Sequence, residues 1–130
     1  MTKLSRPVGV TALVGLLAGM ALISVLHAQA TPPAYVVIDI SETLDADAYI
    51  KAVSAAEPNA TNTAGGRFVV RSTTPIAFDG TAAPNRYVVI AFDSVDKAKA
   101  WHESPAIKEV NAIRMKTTKS RAFVVQGLAN

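Results

Sequence analysis

His102 and Arg114 are the side chains of this chain whose type and position could do chemistry. Val95, Ala98 and Trp101 recur at helical spacing, and on a helical wheel His102 falls between Val95 and Ala98, which turns it toward the interior. An imidazole that titrates near neutrality suits a pocket acid, base or hydrogen-bond donor, and suits equally a core histidine bonded to a backbone group. Arg114 follows Ile107 by seven residues and so projects beside Ile107 and Val110 on an apolar helical face. A guanidinium there needs a partner: the carboxylate or phosphate of a ligand, a structural ion pair, or solvent reached along its stem. Asp39, between Ile38 and Ile40, is a candidate counter-charge for Arg114, Arg67 or Arg71. With His102 as the catalytic candidate, the candidate ligand-binding set is Arg114, Asp39, Arg67, Arg71 and Trp101.

Other chemistries lack their residues. The chain has no cysteine, which excludes disulfides and thiol catalysis. One of its two histidines, His27, lies in an apolar leader, and the carboxylates are scattered without ligand spacing, so neither a metal nor a cofactor is expected. Gly65-Gly66 precedes a strand instead of opening a helix, which makes it a turn and not a phosphate loop. No signature nucleophile motif is present. Of 13 basic side chains, Lys3 and Arg6 belong to the leader, leaving 11 against 10 acidic ones, a net +1. That offers little attraction for nucleic acid, and Lys108, Arg114, Lys116, Lys119 and Arg121, without interleaved aromatics, read as a solvated surface.

The elements that must position these residues follow from periodicity. Tyr35 to Ser41 is a β-branched strand with Val36, Ile38 and Ile40 on one face. Ala46, Tyr49, Ile50 and Val53 mark a helix, with Asp45 and Asp47 at its positive end and Pro58 expected to break or kink it. Arg67 to Arg71 is a second strand and Arg86 to Phe92 a third, joined by a bulged hairpin with its turn at Asp79-Gly80. Ser94 caps a helix running to about Glu103, Ser104-Pro105 starts a separate helical piece to Met115, and Arg121 to Gln126 closes as a fourth strand. The order β-α-β-β-α-β predicts an α+β, ferredoxin-like fold with a four-stranded antiparallel sheet and helices on one face.

The first thirty residues have their own layout. Lys3 and Arg6 form a basic start, Val8 to Leu26 is uncharged and almost wholly apolar, and Ala28-Gln29-Ala30 is a small-x-small site. The reading is a signal peptide over residues 1–30, cut between Ala30 and Thr31, so the protein is expected in the periplasm or secreted, with no stable membrane anchor after cleavage. A retained anchoring helix is the alternative. Residues 31–34, with Pro32-Pro33, are expected to be a flexible segment outside the fold, and residues 35–130 the domain.

Several of these stretches together resemble a known family. Tyr35-Val36-Val37-Ile38, Gly65-Gly66-Arg67-Phe68-Val69-Val70-Arg71, Phe78-Asp79-Gly80, Val88 to Ser94, Ala100-Trp101-His102-Glu103-Ser104-Pro105, Arg114 and Ser120 to Gly127 are similar to the DUF1330 family. Ser72-Thr73 and Ile107 depart from its pattern, which has Gly-Gly and often an aromatic there. The resemblance implies a dimeric α/β-barrel, whose superfamily includes cofactor-free monooxygenases, muconolactone isomerase-like proteins and haem-binding chlorite dismutase-like proteins. It thus implies a small organic ligand between sheet and helices, with oxygenase- or isomerase-like activity. A non-catalytic periplasmic accessory protein and a purely structural dimer module are the alternatives.

Homodimerisation is also expected from the strands themselves. Val88, Ile90 and Phe92 lie on one face of the third strand and Tyr87, Val89 and Ala91 on the other, yet helices on one side bury only one face.

Overall fold

The β-branched run that follows Pro33 becomes the centre of the sheet. In the computed structural model, which describes residues 31–129, β1 spans Ala34–Thr43. It pairs antiparallel with β3 (Arg86–Phe92) on one side and β4 (Thr118–Gln126) on the other, and β2 (Arg67–Ser72) pairs with β3. The sheet order is therefore β2-β3-β1-β4. Three helices complete the described residues: α1 (Ala46–Thr63), α2 (Val95–Glu103) and α3 (Pro105–Thr117). The sequence is β-α-β-β-α-α-β, the expected ferredoxin-like arrangement with the second helical unit in two pieces.

Alternation along β1 decides which side is core. Ala34, Val36, Ile38 and Ile40 join Val88, Ile90 and Phe92 of β3 in a buried cluster with Tyr49, Ala98, Trp101 and Ile107 from the three helices. No residue of the opposite sheet face belongs to that cluster. Trp101 anchors it, its ring centroid 5.4 Å from that of Phe92 and its indole N–H donating to Thr61 Oγ1 at 3.0 Å. On the other face lie Val37, Val89, Ala91, Val70, Phe123 and Val125, the last three 40–44% exposed.

Caps set the helices. Asp45 Oδ1 accepts the Ala48 N–H at 3.1 Å and Ser94 Oγ accepts that of Lys97 at 3.2 Å. Ser104 works differently: Pro105 takes the first helical position of α3, while the Ser104 hydroxyl donates back to the Trp101 carbonyl at 2.7 Å and closes α2. Gly65, at φ +81°, turns the chain out of α1. Gly66 lies so close to Thr61 and Phe92 that a Cβ would come within 2.7 and 2.8 Å of their side chains.

Two expectations need correction. Pro58 does not end the helix: α1 continues to Thr63, and the Ser54 carbonyl, whose N–H partner proline removes, belongs to an exposed residue that water can reach. The fold also begins before Tyr35. Ala34 is fully buried in β1, and the Pro33 carbonyl accepts the Gly127 N–H at 2.7 Å, because β4 runs the whole length of β1 and needs a partner at its end. Residues 1–30, including Ala30, lie outside the described residues.

Candidate functional site

A four-residue spacing on α1 builds the floor of a cavity. Tyr49, Val53 and Glu57 lie on one stripe of the helix and Ile50, Ser54 and Pro58 on the adjacent one. Both stripes face the β2–β3 half of the sheet, where Phe68, Arg71, Ser72, Thr73, Arg86 and Val88 close a cavity of about 260 Å³. A bulge in β2 between Phe68 and Val70 restores Arg71 to the helix-facing side, opposite Val88.

The cavity holds a buried carboxyl. Glu57 is 5% exposed, and its side chain has neither an ion pair nor a hydrogen bond among the described residues. Burial pushes its pKa above the usual 4.5, against the opposing pull of Arg71 and Arg114. The Tyr49 phenol is likewise pushed above 10.0, by burial first and then by the Glu57 charge, with Arg86 and Arg114 opposing. The Arg71 guanidinium lies 3.8 Å over the Phe68 ring and that of Arg86 5.6 Å over Tyr49. Arg86 Nε is buried with no partner. A raised carboxyl and a phenol in one polar cavity can exchange protons with a bound molecule, and the arginines can hold its oxygens.

The candidates from sequence are dispersed. Arg114 is buried as expected, 5% exposed beside Ile107 and Val110. Its Nη1 donates to Ser120 Oγ at 2.6 Å and its Nη2 to Asn111 Oδ1 at 3.5 Å, while Nε has no partner. Burial lowers its pKa, with Tyr49 and Glu57 opposing, which places it within electrostatic reach of the cavity without lining it. Arg71 lines the cavity; Arg67 is exposed on the other sheet face. Asp39 pairs with none of the three arginines proposed for it. It lies on the uncovered face, opposite Arg121 in the β1–β4 register, and accepts from Arg121 Nε and Nη2, each at 3.3 Å.

His102 does not look into the domain. The buried stripe of α2 is centred between Ala98 and Trp101, which puts His102 on its margin, with the side chain 53% exposed and Nδ1 3.5 Å from Glu103 Oε1. Lys108, and secondarily His102, hold the Glu103 carboxyl below its usual 4.5. Together with Trp101, Phe123 and Val124, His102 borders a shallower, mostly apolar cleft of about 190 Å³ beside β4, away from Glu57. Trp101 has spent its N–H on Thr61 and is a core residue with one surface in that cleft. Among the described residues no group of three or more His, Asp or Glu could hold a metal ion, and no helix is long and apolar enough to cross a membrane.

Glu57, Tyr49 and Arg86 were not singled out from the sequence. The signal was the continuation of Tyr49 and Val53 by four to Glu57, beside the proline expected to break or kink the helix.

Solved structures share this fold at low identity. A protein of unknown function from Rhodopseudomonas palustris is 14% identical, with 85% of this chain and 94% of that one covered at a TM-score of 0.63. SnoaB, a cofactor-independent oxygenase from Streptomyces nogalater, is 12% identical over 77% of this chain and 97% of its own, at 0.53. An ethd family protein from Bacillus halodurans is 10% identical over 74% and 99%, at 0.52. No curated protein matches the chain. Residues 33–128 match the family described as Domain of unknown function (DUF1330), which spans all four strands and all three helices, and the chain belongs to that family.

Proposed function

We propose that this is an exported homodimeric domain that binds a small organic ligand in the cavity between α1 and the β2–β3 half of the sheet. The observation that carries the reading is the Glu57 carboxyl, 5% exposed yet without a hydrogen-bond partner among the described residues, in a cavity that it shares with Tyr49, Arg71 and Arg86. A buried acid without a protein partner costs stability, and a ligand that bonds to it recovers that loss. The chemistry on offer is proton transfer to or from the ligand, the step with which a cofactor-free oxygenase or an isomerase begins. The fold shared with SnoaB is consistent with that activity and does not by itself assign it. Export is supported by the basic, apolar and small-x-small layout of residues 1–30, with processing between Ala30 and Thr31. Dimerisation is supported by the apolar sheet face that the helices leave open.

Thermal-shift screening of small organic molecules tests the binding reading, since any ligand that prefers the native state raises the melting temperature. Hits are expected to lose most of their shift in Glu57→Gln while keeping it in His102→Ala. A shift lost in His102→Ala and kept in Glu57→Gln would move the site to the cleft beside β4.

A further inference from the structure

We propose that the cavity selects an organic anion, a carboxylate or enolate on a short apolar body, with its charged oxygens between Arg71 and Arg86 and its body against Ile50, Val53 and Phe68. The inference rests on the cavity being the ligand site and adds the ligand's charge and shape.

The charge balance of the walls points this way. Two guanidinium groups line the cavity against a single carboxyl, and among the described residues neither forms an ion pair with Glu57. Behind the wall, Arg114 adds a third positive charge that is hydrogen-bonded only to the neutral Ser120 and Asn111. A cation entering the cavity meets this field directly. A neutral ligand leaves the buried Arg86 Nε without a charged acceptor.

The way the arginines are held supports the same conclusion. Arg71 rests over Phe68 and Arg86 over Tyr49, so each guanidinium uses a face on an aromatic ring and keeps its in-plane N–H donors for an acceptor. Planar, two-oxygen anions match that fork. The Glu57 carboxyl, whose pKa burial raises, lines the same cavity and in its protonated form can donate to one of the anion's oxygens. Ile50, Val53, Pro58, Phe68 and Val88 supply apolar lining beside the hydroxyls of Ser54, Ser72 and Thr73, and about 260 Å³ lies below the roughly 300–1,000 Å³ typical of sites for drug-sized ligands, so the body is small.

Matched carboxylate and amide pairs separate charge from shape. The protein is titrated calorimetrically with benzoate and benzamide, and with hexanoate and hexanamide, at millimolar concentration. At least one carboxylate is expected to bind at least about tenfold more tightly than its amide, the worth of a charge-assisted bond. Arg71→Met, a change at an exposed residue of an edge strand, is expected to remove that preference with the circular dichroism spectrum unchanged. Amides that bind as well as their carboxylates would overturn the anion inference and leave the cavity reading in place. Carboxylate binding unaltered in both Arg71→Met and Arg86→Met would place the anion elsewhere and overturn it too. Absence of binding by all four compounds would overturn both.

Discussion

Glu57 is where a single residue costs the fold most visibly. The residue is buried and its carboxyl, open to the cavity, has no hydrogen-bond partner among the described residues, with Tyr49 on its own helix, Arg71 and Arg86 across the cavity, and Arg114 behind. Because burial raises its pKa in the folded state, the native protein holds the proton more tightly than the unfolded chain does. Its contribution is therefore most favourable below the usual value of 4.5 and is lost as pH rises from there through the folded value. Glu57→Gln is expected to match the parent below about pH 4.5 and to exceed it in stability at neutral pH, in urea unfolding across that range. A parent whose stability rose between those pH values because of Glu57 would mean that the carboxyl is paired. Arg114 shows what residue types alone disclose. Its burial was legible from its seven-residue offset from Ile107, but its partners were not: Ser120 and Asn111 are neutral, and no pattern of charges announces them.

The α1–β2 junction shows how an element is held at a fixed distance from the sheet. Gly65 turns the chain at positive φ, and Gly66 lets it pass directly over Thr61 and Phe92, which keeps Thr61 in place to accept the Trp101 N–H. Gly66→Ala forces a methyl against both side chains and is expected to destabilise the protein by about 1–3 kcal/mol, measured by urea denaturation. Most elements were legible because alternation and capping residues agree with each other: Arg86 to Phe92 reads as a strand and is one, and Ser94 caps α2. The failures have physical causes. A proline interrupts one backbone hydrogen bond, and α1 tolerates it where the freed carbonyl meets water, so the stripe of Tyr49 and Val53 continues to the cavity's acid where a break or kink was expected. The wheel placed His102 near Val95 and Ala98, but Trp101 pulls the buried stripe of α2 to its own side.

At the scale of the whole molecule, the face carrying Val89, Val70, Phe123 and Val125 has no helix over it among the described residues, and the exposed surface of Val70, Phe123 and Val125 is the structural basis for proposing a homodimer. Sedimentation equilibrium at micromolar concentration is expected to give twice the protomer mass. Val125→Glu, at a position 44% exposed in the protomer, is expected to leave the protomer folded and shift the mass toward one copy, because the pairing of two sheets would bury an unpartnered carboxylate. A parent that sediments as a folded monomer would remove the dimer from the proposal.

The central place of β1 has a consequence for the order of events in the life of the chain. The first strand made is flanked by β3 and by β4, the last strand made, and the Gly127 N–H fastens the end of the sheet to Pro33. Until residues 118–126 are available, β1 has one edge bare and the core lacks Val124, which packs against it from β4. Contacts so distant in sequence form late and slowly. The export proposed above fits this order: a chain threaded from its amino end carries no finished four-stranded sheet until residues 118–126 have come through.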